Sequence, residues 1–64
     1  MLVCRLREIR HTKYMINKTG FAKLLEINYR QYLRYEDGVI PQPETMFIIA
    51  KKLNMRVDEI WYLD

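Results

Sequence analysis

The stretch that most limits how this chain can fold is Asn17 to Glu36, NKTGFAKLLEINYRQYLRYE. Asn17 stands where a side-chain oxygen caps the free amides of a helix start. Phe21, Ala22 and Leu25 follow at the i, i+1, i+4 spacing of one apolar stripe. Asn28 is a second cap residue, so the pattern stops after Leu25 and restarts at Tyr29. That punctuation predicts two short helices meeting at a sharp bend. In the second helix Tyr32 and Tyr35, three apart, form the buried edge, which leaves Tyr29, Arg30, Gln31, Leu33 and Arg34 on a long, donor-rich outer face.

The flanking segments read as further helices. Leu2, Leu6 and Ile9 recur at helical spacing with Arg5, Arg7 and Arg10 on other faces, which predicts an amphipathic helix from about Val3 to Thr12. Tyr14, Met15 and Ile16 are three adjacent apolar residues and predict a packed connector. After Tyr35, EDGVIPQP (Glu36 to Pro43) is the one true loop: Gly38 can take positive φ, and Pro41 and Pro43 stop a helix from running through. The fourth helix starts near Pro43 with Glu44 complementing its dipole. Met46, Ile49, Ala50 and Leu53 form its core stripe, Phe47 widens it, and Ile48 falls near the opposite side. Asn54 suits a left-handed cap. Asp58 and Glu59 then open a short fifth helix that carries Ile60, Trp61, Tyr62 and Leu63 to the end. The expectation is an all-α, compact five-helix domain over residues 1–64.

Composition narrows the function classes. The apolar half of the residues argues against disorder, and no apolar run approaches the roughly 18 residues of a membrane span. The short apolar start is followed by Arg5, Arg7 and Arg10, the wrong order for a signal peptide, so a cytoplasmic location is expected. Cys4 is the single cysteine, which rules out an internal disulfide, and His11 has no second His or Cys at ligand spacing for zinc. Only Gly20 and Gly38 are available, so there is no phosphate-cradling glycine loop, and no nucleophile is paired with a base. An enzyme, a cofactor, a bound metal and a small-molecule ligand are not expected. The formal charge of +3 divides unevenly: residues 1–34 hold eight Lys and Arg against two acids, net +6, and residues 35–64 hold three against six, net −3. Such asymmetry suits a polyanion on one side of the molecule, although a scattered solvated surface gives the same count.

Lys18 opens the first helix of the bend with a polar residue, Ala22 is a small residue four positions on, Tyr32 and Tyr35 are apolar positions of the second, and Glu36-Asp37-Gly38 ends it. Together with PQPETMFIIAKKLNMRVDEIWYLD, this pattern over roughly residues 6 to 62 resembles the helix-turn-helix domains of the Cro and phage-repressor type, often called Xre-like. The resemblance implies a lambda-repressor-like fold with its motif at about residues 17–36, double-stranded DNA as partner, and a homodimer. It implies DNA contacts from Lys18, Asn28, Tyr29, Arg30, Gln31, Leu33 and Arg34, with Lys13 a further phosphate candidate. Arg30 or Arg34 would pair with guanine, Gln31 with a base or a phosphate, and Leu33 with a thymine methyl.

Several positions depart from the family pattern. Glu26 stands where a glycine is usual in the turn, Val39 and Ile40 stand where Lys or Arg commonly touch phosphate, and Arg56 replaces a Ser cap. From Arg10 to Asn17 the connector is one residue longer than the pattern, which leaves open the ion pair that family members form between a first-helix arginine and the residue matching Glu36. Gly20 inside a helix costs up to about 1 kcal/mol, so it either admits a phosphate or neighbouring backbone or is tolerated in the first turn. Val39 and Ile40 either pack on the domain or offer an apolar patch. With no second domain in these 64 residues, a dimer is expected to use Val39, Ile40, Ile48, Tyr62 and Leu63, with Trp61 beside them. The alternative function is a protein-interaction module of the same fold, such as an antitoxin or an antirepressor-binding component, which the apolar residues after Gly38 favour.

Overall fold

The computed structural model describes residues 1–64. In chain order the elements are strand β1 (Leu2–Cys4), helix α1 (Leu6–Ile9) running directly into a π-helical turn (Arg10–Tyr14), α2 (Lys18–Leu25), α3 (Tyr29–Glu36), α4 (Pro43–Leu53), α5 (Val57–Ile60) and strand β2 (Trp61–Leu63). The architecture is mainly helical, with five α-helices around one core. No helix is long and apolar enough to cross a membrane.

The two ends differ from the sequence reading. Residues expected to begin the first helix and to finish the last one instead pair as an antiparallel two-stranded sheet, with Leu2 opposite Leu63, Val3 opposite Tyr62 and Cys4 opposite Trp61. Backbone bonds from Asp64 N–H to the Met1 carbonyl (2.9 Å) and from Arg5 N–H to the Ile60 carbonyl (2.8 Å) extend the ladder at both ends. Val3, Trp61 and Tyr62 are of the β-branched and aromatic types that fit a pleated surface. Neither three-residue strand satisfies its backbone alone, so each supplies the other's partner.

The middle of the chain follows its caps. Asn17 Oδ1 accepts the Gly20 N–H at 2.7 Å and starts α2, and Asn28 Oδ1 accepts the Arg30 N–H at 2.9 Å and starts α3. Gly20 has its reason here: a Cβ would come within 3.1 Å of Asn17 Oδ1, so the absent side chain lets the cap close. Glu26 takes the left-handed conformation its position asks for (φ 59°), and Ile27 N–H returns to the Ala22 carbonyl at 3.0 Å. Lys52 Nζ lies 2.8 Å from Glu26 Oε2, which ties the turn to α4 and holds the Glu26 carboxyl below the usual range. Gly38 closes α3 with φ 108°, as Val39 N–H reaches back to the Arg34 carbonyl at 3.0 Å. Asn54 ends α4 at φ 54°.

Helices α1 to α5 and β2 pool their apolar faces into one cluster: Leu6, Ile9, Phe21, Ala22, Leu25, Tyr32, Tyr35, Ile49, Ala50, Leu53, Ile60 and Trp61. The Phe21 ring meets Tyr32 edge-on, with centroids 5.6 Å apart, and Tyr14 leans on Phe21 at 5.2 Å. Leu2, Tyr14, Ile16 and Met46 pack against it half-buried, and two residues expected to pack are exposed instead. Phe47 is 66% exposed, because at about 100° per residue it stands roughly 110° from the centre of the stripe of Met46, Ile49, Ala50 and Leu53. Met15, expected to pack with its neighbours, is 80% exposed while Tyr14 and Ile16 pack against the core.

The reason lies in the π turn. Met15 N–H bonds the Arg10 carbonyl five residues back at 2.7 Å, and Met15 itself is left-handed (φ 51°). A five-residue hydrogen-bond step accommodates one more residue than an α turn. The connector between Arg10 and Asn17 therefore contains a widened turn, and Met15 is the residue it turns outward.

Candidate nucleic-acid interface

Helix α3 is held from behind by a buried carboxylate. Glu36, in its last turn, has a side chain only 1% exposed and receives Arg10 Nε at 3.0 Å, Arg7 Nε at 3.3 Å and the Tyr32 hydroxyl. Burial alone would raise the Glu36 carboxyl, but the donors from Tyr32, Arg10 and Arg7 overcome it and hold the group below its ordinary value. Burial likewise works against the Arg10 cation, whose side chain is 7% exposed, and the bond and charge of Glu36 restore it and push its pKa up. The Tyr32 phenol is pushed up by burial and then by the Glu36 charge. Arg10 also donates to the Ile16 carbonyl at 3.0 Å. The ion pair that the longer connector left open is therefore formed, because the π turn keeps Arg10 on the inner face. Helix α1, the connector and α3 meet at this one cluster.

The opposite face of α3 is open. Tyr32 and Tyr35 point into the core, and Arg30 and Arg34, four residues apart, lie near the middle of the outward face, both exposed. Neither is engaged by an acid or by another side chain. Tyr29 is exposed in the first turn and Leu33 is half-buried beside Arg34. Gln31 is exposed, but its Nε2 donates to the Tyr35 hydroxyl at 3.1 Å. Asn28 is exposed with its side-chain oxygen committed to the cap. Lys18, in the first turn of α2, is half-buried and unpaired.

The ion pairs sharpen this picture. Arg5, Arg7, Arg10, Lys52 and Arg56 each lie against a carboxylate, at Glu8, Glu36 with Asp37, Glu36, Glu26 and Asp58 respectively. That leaves Lys13, Lys18, Lys23, Arg30, Arg34 and Lys51 without a paired acid, and all but Lys51 lie between residues 13 and 34. The N-terminal arginines are thus spent on the fold, and the unpaired positive charge of the first half is concentrated between Lys13 and Arg34. Lys23 is the cation that the sequence reading passed over; its exposed place in the last turn of α2 was the available signal.

The residues proposed for self-association are exposed as well. Val39 and Ile40 are about half exposed, at 50% and 54%, while Pro41 of the same loop is buried, and Ile48, Tyr62 and Leu63 are also open to solvent. Trp61 is not available: it is 3% exposed, and its indole N–H has no hydrogen-bond partner. It packs opposite Cys4, whose half-buried thiol is pushed up by burial. Phe47 and Ala50 of α4, with Met55 and Val57, line an open groove to which no residue of α2 or α3 contributes. Nowhere do three His, Cys, Asp or Glu side chains gather as a metal ion requires.

Fold and site together define a small, mainly helical domain in which α3 turns Arg30 and Arg34 to solvent and Lys13, Lys18 and Lys23 are also without a paired acid. The sequence matches no protein-family model and no curated protein.

Proposed function

We propose that this chain is a sequence-specific DNA-binding transcriptional regulator, a lambda-repressor-like helix-turn-helix domain of the Cro or Xre type that works as a repressor of a phage or mobile element. The observation that carries the reading is the group of five cations between Lys13 and Arg34 with no acid to neutralise them, with Arg30 and Arg34 central on the outward face of α3. Eight helical residues span about 12 Å, a length that fits along a major groove about 12 Å wide. In this arrangement α3 enters the groove with Tyr29, Arg30, Leu33 and Arg34 toward the bases, and α2 lies across the backbone. Lys18 and the amides of the α2 start meet phosphate, with Asn28 and Gln31 at the groove edge. A domain of this size reads few base pairs, so a homodimer on half-sites one helical turn apart supplies the rest of the affinity, through Val39, Ile40, Ile48, Tyr62 or Leu63.

A second reading, a protein-interaction module, is favoured by one observation: Val39 and Ile40 are exposed and apolar just after Gly38. The same experiment separates the two. Binding to random-sequence duplex DNA is measured across a salt series for the wild type and for the Arg30→Ala, Arg34→Ala double variant. The DNA reading expects micromolar-range binding that falls steeply with salt and is weakened in the variant. Absence of binding at low salt by the folded wild type overturns it in favour of the protein partner.

A further inference from the structure

We infer that α3 reads a pair of guanines in each half-site, one through Arg30 and one through Arg34, lying no more than about two base-pair steps apart. This deepens the reading that α3 occupies the major groove and rests on it. The outward face contains few side chains whose polar atoms are all free. Asn28 has given its oxygen to the Arg30 amide, and Gln31 donates to Tyr35. Leu33 offers no polar atom. Arg30 and Arg34 keep every guanidinium N–H unused.

A guanidinium is all donor, with its N–H groups in a flat fork. The base edge that complements it is one with two adjacent acceptors and no donor. In the major groove guanine presents that edge through N7 and O6, whereas adenine sets an N6 donor beside N7 and cytosine offers a donor. Position on the helix favours base over phosphate. Arg30 and Arg34 lie along the central row of the outward face, the row turned to the groove floor, while Gln31 lies to one side, toward a wall where the phosphates run. Four residues of helix advance about 6 Å. Successive base pairs rise about 3.4 Å, so the two forks reach edges within two steps of each other, on the same strand or on opposite strands.

The test is selection from a randomised duplex pool by the wild type, Arg30→Lys and Arg34→Lys, followed by affinity measurements on the selected site and on random DNA. Lysine keeps the charge and loses the fork, so a phosphate contact survives the change and a bidentate base contact does not. The wild type is expected to enrich two guanines within three consecutive base pairs. Each lysine variant then relaxes its own position and binds the selected site about 5- to 150-fold more weakly, with little change on random DNA. A selected motif without the guanine pair, or lysine variants that select the wild-type motif unchanged, overturns this inference and leaves the DNA-binding reading standing. If the folded wild type enriches nothing and does not bind duplex at low salt, the placement of α3 in the groove fails and the guanine pair with it.

Discussion

Replacing Glu36 with glutamine tests the account of how α3 is held. The substitution is nearly isosteric, so it removes the charge and leaves the shape. Glu36 is 1% exposed and Arg10 7%, with 3.0 Å between them, and Arg7 and the Tyr32 hydroxyl bind the same carboxylate. In Glu36→Gln the Arg10 cation stays buried without its counter-charge. Removing one partner of such a pair costs about 3–5 kcal/mol. A domain of this size is stable by only about 3–10 kcal/mol, so the variant is expected to lose a third or more of its stability. The assay is urea unfolding followed by helical circular dichroism. The pH dependence adds a signed check. The folded carboxyl titrates below its unfolded value, so its contribution is fully present above the unfolded carboxylate pKa of about 4.3 and is lost as pH falls through the folded pKa. The gap between wild type and Glu36→Gln is therefore expected to be full at pH 6 and to shrink as pH falls below about 4.3. Arg10→Met combined with Glu36→Gln is expected to be less damaging than the two single losses added, because neither charge is then left alone. A loss below about 1 kcal/mol at pH 6, or a gap that does not change with pH, refutes the reasoning and marks the cluster as solvent-screened.

Two more outcomes follow from the backbone and the surface. Met15 is left-handed and its side chain is exposed, so Met15→Gly removes a conformational cost of about 1 kcal/mol and is expected to raise the midpoint of thermal unfolding by about 4–8 °C; an unchanged or lowered midpoint contradicts the strained turn. Ile48→Glu places a charge on the exposed face of α4 and is expected to leave circular dichroism unchanged while shifting sedimentation toward the monomer; an unaltered profile removes Ile48 from the dimer contact.

The bend was legible because its signals are local. Asn17 and Asn28 cap helices within three residues of themselves, and the stripes of Phe21, Ala22 and Leu25 and of Ile49, Ala50 and Leu53 report burial through periodicity alone. The ends were not legible for the opposite reason. Leu2, Leu6 and Ile9 fit a helical stripe as well as they fit a strand followed by a helix, and the partner that decides between them, Leu63, is distant in sequence. The π turn is a change of hydrogen-bond register, which apolar spacing does not encode; only the length of the connector hinted at it. At the candidate interface the outward direction of Arg30 and Arg34 follows from helical geometry. That Arg7 and Arg10 are committed to Glu36 and these two to nothing depends on side-chain placement across three elements.

The sheet that joins the ends sets the order in which the molecule is expected to open. Most contacts in the bend link residues close in the chain and form quickly, whereas pairing Leu2 with Leu63 closes nearly the whole chain into a ring. Such a closure is expected to form late and to be the least costly to undo, since beyond the packing of Trp61 it rests on two strands of three residues each. Amide protons of β1 and β2 are thus expected to exchange through a local fraying in which α2 and α3 stay docked. Trp61, and Cys4 opposite it, meet solvent in that frayed state first, so the single tryptophan of this protein reports the closing of its ends rather than the integrity of the helix proposed to face DNA.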